Sequence, residues 1–108
     1  MNKHKTIEQA INNRLCLTFT FNGQKRRMSP HVIGFKKRKR QALFYQYGGT
    51  SNSKLSIDET QNWRCIPIDQ IEDLRISDDP FQTPYNYSVQ KQTCINEVEA
   101  AISWTPSF

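Results

Sequence analysis

Leu15-Cys16-Leu17-Thr18-Phe19-Thr20-Phe21-Asn22-Gly23 decides how this chain is read. Leu15, Leu17, Phe19 and Phe21 alternate with Cys16, Thr18 and Thr20. That period of two, in residues that favour extended backbone, predicts a half-buried strand. Asn22-Gly23 supplies the pair that a tight hairpin needs. A return strand is expected from about Lys25 to Phe35. Pro30 would sit at an edge or bulge, having no N–H to donate, and Gly34 where the backbone bends or is closely approached.

Upstream, Thr6 is expected to cap a short helix with Ile7, Ala10 and Ile11 on one face, ended by Asn12-Asn13. Downstream, Lys36 to Arg40 reads as a charged turn and Ala42 to Tyr47 as a third strand. Residues 48–62 are polar and glycine-rich, which predicts a long surface loop. Trp63 to Ile68 and Ile71 to Ser77 read as strands four and five, joined by a tight turn at Asp69-Gln70. Residues 81–93 look extended and irregular. Cys94 to Ser103 is expected as a terminal helix with Ile95, Val98 and Ile102 on its apolar side. The fold class is therefore mainly β: a small, strongly bent SH3/Sm-like barrel of about five strands, with an N-terminal helix and a second helix at the C-terminus. Residues 1–87 would form the barrel. Residues 88–108 would be an extension packed on it or on a partner.

At 108 residues the chain suits one domain. Its mean hydropathy is −0.74, and no window approaches the roughly 18 apolar residues of a membrane span. Met1 to Thr6 lacks the apolar region of a signal peptide. Cys16, Cys65 and Cys94 are odd in number, widely spaced and without a Cys-x-x-Cys pair, which predicts reduced thiols in a cytoplasm. With His4 and His31 as its two histidines, neither a metal site nor a cofactor is expected.

Charge is the feature that points to function. Of fifteen Lys and Arg residues, twelve precede residue 55, beside the single acid Glu8; nine of the ten acids follow. A concentrated positive field attracts phosphate-bearing partners. The densest stretches are Lys25-Arg26-Arg27 and Lys36-Lys37-Arg38-Lys39-Arg40. The carboxylate pairs Asp58-Glu59, Glu72-Asp73 and Asp78-Asp79 have no histidine near them in sequence, and neither do Cys16 and Cys65. Binding is expected rather than catalysis.

Five segments, in order over residues 6 to 87, resemble the WYL domain in its short standalone form. They are Thr6-Ile-Glu-Gln-Ala-Ile11 with strand Leu15–Phe21, Arg26-Arg-Met-Ser-Pro-His-Val-Ile-Gly34, Tyr45-Gln-Tyr-Gly-Gly-Thr-Ser-Asn-Ser53, Trp63-Arg-Cys-Ile-Pro-Ile-Asp-Gln-Ile71 and Phe81-Gln-Thr-Pro-Tyr-Asn-Tyr87. The resemblance implies an Sm/SH3-like barrel and a ligand-sensing or nucleic-acid-binding role in bacterial transcription and phage-defence regulation. It also implies that Arg26 and Arg64 help line the ligand-facing surface. Members of that family usually carry a helix-turn-helix ahead of the domain. None precedes the matching segments, so a helix-turn-helix regulator or a second copy is the expected protein partner. The sequence departs from the family at Gln41-Ala42-Leu43, where the naming tripeptide keeps only its leucine, and at Ser29, which replaces an acid.

Each candidate residue has a plainer alternative. Arg26 and Arg64 would hold phosphate bidentately, or Arg64 would pair with Asp69 or Asp58. Tyr45 and Trp63 would stack on a base, or belong to the core. His31 would bond a phosphate, or be structural. Ser51 and Ser53, with Gly48 and Gly49, would cradle an anion, or form a solvated loop. Lys36, Lys37, Arg38, Lys39 and Arg40 would steer a nucleic-acid backbone, or form a solvated turn. The expected partner is single-stranded nucleic acid or a nucleotide. The alternative is a protein-interaction module built on Ile95, Val98, Ile102, Trp104 and Phe108.

Overall fold

The alternating stretch becomes β1 (Cys16–Phe21), and Asn22-Gly23, with φ of 52° and 72°, turns it into the 13-residue β2 (Gln24–Lys36). These two positive φ values make the paired turn that matches strand twist. A computed structural model describes residues 2–50 and 55–102. Ahead of β1 lies α1 (Lys3–Asn13), and after β2 come β3 (Lys39–Gly49), β4 (Trp63–Pro67), β5 (Glu72–Ser77) and β6 (Glu97–Ala101). Short 3-10 turns at Glu59–Gln61 and Ile68–Gln70 flank β4.

The sheet is antiparallel, in the order β4-β3-β2-β1-β5, with β6 added to β2. Its hydrogen-bonded path stops at β4 and β5, so among the described residues it is an open sheet and not the closed barrel expected. Leu17, Phe19, Met28, Ile33, Phe44, Ile66 and Ile71 bury one face, covered by Ile7, Ala10 and Ile11 of α1. The helix starts earlier than expected. Asn2, not Thr6, caps it, its Oδ1 accepting from the Lys5 N–H at 3.2 Å.

Two larger corrections concern the C-terminal part. No helix forms at residues 94–102; β6 forms instead. β1 pairs with β2 only as far as Met28, which leaves the N–H and C=O groups of Val32 to Phe35 without partners along that edge. Buried backbone groups must be paired, and β6 pairs them from Val32↔Ala101 to Phe35↔Glu97. Gly34 permits the approach, because a Cβ there would collide with the Glu97 carbonyl and the Ile95 side chain. The helical spacing of Ile95, Val98 and Ile102 was misleading: Ile95 and Ile102 are buried, while Val98 is exposed.

The second correction is a disulfide between Cys65 and Cys94, with Cα atoms 5.7 Å apart. It overturns the expectation of three reduced thiols and with it the argument for a cytoplasm. Pairing of β4 with β3 sets Cys65 opposite Leu43. The chain entering β6 lays the Cys94 Sγ against the Ala42 carbonyl. Cys16 stays free and buried.

Among the described residues no helix is long and apolar enough to cross a membrane.

Candidate anion-binding site

Strand parity gathers the two arginines. Arg26 alternates with the buried Met28 on β2, and Arg64 with the buried Ile66 on β4, so both leave the sheet from its core face. Across the sheet, Arg26 faces Phe19 and Arg64 faces Phe44. Those two phenylalanine rings touch edge-on at 5.1 Å. The two arginines, 38 residues apart in sequence, are thus each the cross-strand partner of one ring of an aromatic pair.

Neither guanidinium has a carboxylate partner among the described residues. Arg26 is 4% exposed; its Nη2 donates to the Phe21 carbonyl at 3.4 Å, and its guanidinium lies over the Phe21 ring at 4.9 Å. Arg64 is half-buried and reaches only carbonyls, those of Trp63 at 3.0 Å and Gln61 at 3.4 Å. The Nε of each is buried without a hydrogen-bond partner, and so is Oε1 of Gln46, which follows Phe44 on the same face. Burial lowers the Arg26 pKa, and the nearby Arg64 charge lowers it further; burial also lowers that of Arg64. Arginine does not give up its proton in a protein. Two desolvated like charges without an internal acid therefore form a site that a bound anion would stabilise. A groove of about 350 Å³ opens beside Arg26, lined by Thr18, Thr20, Lys25 and Gly49. Asp73, at its rim, is paired with Arg75 at 3.1 Å.

The aromatic candidates lie elsewhere. Trp63 precedes Arg64 on β4 and so faces the opposite way, opposite Tyr45 of β3. Its indole contacts His31 at 4.8 Å, Tyr87 at 5.7 Å and Tyr45 at 5.7 Å, and its Nε1 donates to Asn86 at 3.0 Å. Tyr45 is buried. His31 is fully buried between Trp63, Phe81 and Tyr87. Its Nδ1 donates to the Ser29 carbonyl at 2.8 Å, and its Nε2 accepts from the Thr83 hydroxyl at 2.9 Å. Burial drives its pKa down to about 4, so the ring is neutral at pH 7. This cluster belongs to the same hydrophobic core, which contains Tyr87 and against which Trp63 and Phe81 pack. It shares no face with the arginines.

The basic run is also remote. Lys36 and Lys39 close the β2–β3 hairpin at one end, whereas Arg26 and Gly49 pair at the other. Ten residues of β2 at about 3.3 Å each separate the two ends along the strand. Lys36 donates to the Thr93 carbonyl at 2.7 Å. Arg40 grips Glu99 through two bonds, at 2.8 and 3.0 Å, and lies over Phe35 at 4.5 Å. Lys37 and Arg38 form the exposed turn, with φ of 51° and 67°, and Lys39 is exposed beside them. Ser51 and Ser53 lie outside the described residues. Sequence reasoning missed Gln46 and the Phe19–Phe44 pair, whose roles follow from strand register alone.

No protein-family model matches this chain, and neither does any curated protein or solved structure.

Proposed function

We propose that this chain is a non-catalytic module that binds a phosphate-bearing ligand, single-stranded nucleic acid or a nucleotide, with Arg26 and Arg64 as its anchor. The observation that carries this reading is two neighbouring, desolvated guanidinium groups without a carboxylate. Phosphate oxygens accept from planar guanidinium forks, and the charge they bring offsets the desolvation of both arginines. The groove beside Arg26, which Thr18, Phe19, Thr20 and Lys25 line, would receive the base; Tyr45 is buried, and the Trp63 indole is packed against His31, Tyr45 and Tyr87. The alternative reading, a protein-interaction module, is weakened where Ile95 and Ile102 are buried in this chain's own core; Val98 is exposed, and Trp104 and Phe108 lie outside the described residues.

Fluorescence anisotropy with labelled DNA and RNA oligomers, and competition by a nucleotide panel, tests the proposal. Arg26→Met with Arg64→Met is expected to weaken binding by at least about 100-fold, given about 1.5–3 kcal/mol per hydrogen bond to a charged group. The melting temperature should not fall, since methionine keeps the packing and removes the desolvated charge. Unchanged affinity in this double variant would refute the assignment.

A further inference from the structure

The disulfide occupies the wall of a groove of about 380 Å³, within the range of about 300–1,000 Å³ that small ligands fill. Trp63, Tyr87 and Leu43 make the apolar part of that wall, and Lys36 and Lys91 bring positive charge to it. The two sulfurs are not equivalent. Cys65 is exposed, whereas Cys94 is 6% exposed and lies against the Ala42 carbonyl. Gln41 Nε2 donates toward both sulfurs, at 3.3 Å to Cys65 and 3.8 Å to Cys94.

We infer that Cys65 is a thiol–disulfide exchange site whose groove admits a small anionic thiol. The incoming thiolate attacks the Cys65 Sγ; the Cys65–Cys94 bond breaks, and its electron pair leaves on Cys94 as a thiolate that takes a proton from water. The product is a mixed disulfide on Cys65 and a free thiol on Cys94. A second thiolate of the same class attacks the small molecule's sulfur in that mixed disulfide. It releases Cys65 and a disulfide of two small molecules, so the protein gains two electrons and two thiols lose them. Exchange proceeds at the sulfur an attacking thiolate can reach, and here that is Cys65. The shortest bond of the Gln41 amide is to the Cys94 carbonyl at 2.6 Å, which holds the Cys94 backbone beside the groove.

Opening the bond leaves the fold in place. The segment that Cys94 anchors is also held by β6 pairing, by buried Ile95 and Ile102, and by the Tyr87 hydroxyl, which donates to the Ile102 carbonyl at 2.8 Å. The site is therefore open to reversible modification of the folded protein.

The test exposes the oxidised full chain to reduced glutathione, quenches with acid and maps adducts by peptide mass spectrometry. The glutathione adduct is expected on Cys65 and not on Cys94 or Cys16. Lys91→Glu should slow adduct formation by glutathione by at least about threefold through charge repulsion, and should slow reduction by 2-mercaptoethanol, whose thiolate carries a single negative charge, by less. Circular dichroism of the reduced protein should retain the β signal. An adduct mainly on Cys94, equal slowing of both thiols by Lys91→Glu, or unfolding on reduction would each overturn the proposal.

Discussion

The two ends of the β2–β3 hairpin both carry cations and treat them in opposite ways. At the turn end, Arg40 meets Glu99, Lys36 meets the Thr93 carbonyl, and Lys37 and Arg38 stand in water. Toward the far end Arg26 loses water, as does Arg64, which pairs with Phe44 midway along β3, and neither gains an acid among the described residues. The denser charge is the less informative one. A cation that is solvated or paired is at equilibrium with its surroundings. A buried cation without an acid has an unmet requirement, and a ligand meets requirements of that kind.

The turn end is also where the C-terminal segment is fastened, so the largest expected effect breaks that fastening. Cys65→Ser with Cys94→Ser removes a cross-link spanning 29 residues. Loop-closure entropy sets the loss at about 3.5 kcal/mol, read as a lower midpoint in urea unfolding. Anion affinity at the arginine end should stay within about twofold, since distant sites add independently. A parallel collapse of affinity would show that the two ends are one unit and the contrast false.

His31, midway along β2, sharpens the contrast because it answers desolvation by losing its proton, which arginine does not do. Burial holds its folded pKa at about 4, against an unfolded value of about 6.5. The unfolded chain therefore binds the proton first as pH falls. Stability is complete above pH 6.5, declines between 6.5 and 4, and the total loss is about 3 kcal/mol. Asp79 and Glu99, with lowered pKa values, add their own losses only toward the acid end of that window. Urea unfolding at pH 7, 6 and 5 measures the slope. His31→Gln should flatten it; an equally steep slope in that variant would assign the titration to another group.

How far the sequence reveals this depends on the distance over which each signal acts. The β1 alternation and the Asn22-Gly23 turn are local, and the strands follow from them. β6 was not legible. Its helical spacing is a local signal, overruled by the open edge at Val32 to Phe35, which exists only once β1 has stopped pairing. The disulfide depends on the register of β4 with β3 and on where the chain re-enters, so the spacing of Cys65 and Cys94 alone concealed it. Within the candidate site, Arg26 and Arg64 were singled out individually. Their shared face requires parity on two strands, and the same parity sends Trp63 and Tyr45 the other way.

Salt dependence distinguishes the two ends in solution. Two phosphates held by Arg26 and Arg64 give a slope of log affinity against log salt of about −1.4 for a single strand. Recruiting Lys37, Arg38 and Lys39 as well would give about −3.5. Between 50 and 200 mM salt these correspond to losses of about sevenfold and about 130-fold. The shallow slope is expected, because the exposed run lies at the other end of the hairpin. A steep slope that Lys37→Ala, Arg38→Ala and Lys39→Ala together reduce to the shallow one would move the anchor to the turn.

The smallest effect tests whether the turn-end cations are merely satisfied. The Arg40 and Glu99 side chains are 32% and 28% exposed and bonded bidentately. His4 lies 3.5 Å from Glu99 on its other side. Partial solvent screening limits such a pair to about 0.5–1 kcal/mol, so a double-mutant cycle of Arg40→Ala and Glu99→Ala should return a coupling in that range. The folded pKa of Glu99 is lowered, chiefly by its bond to Arg40. The coupling is therefore present at pH 7 and lost as pH falls through that lowered value. A coupling of several kcal/mol would mean that Arg40 is as desolvated as Arg26. The difference between the ends would then lie in the presence of an acid and not in access to water.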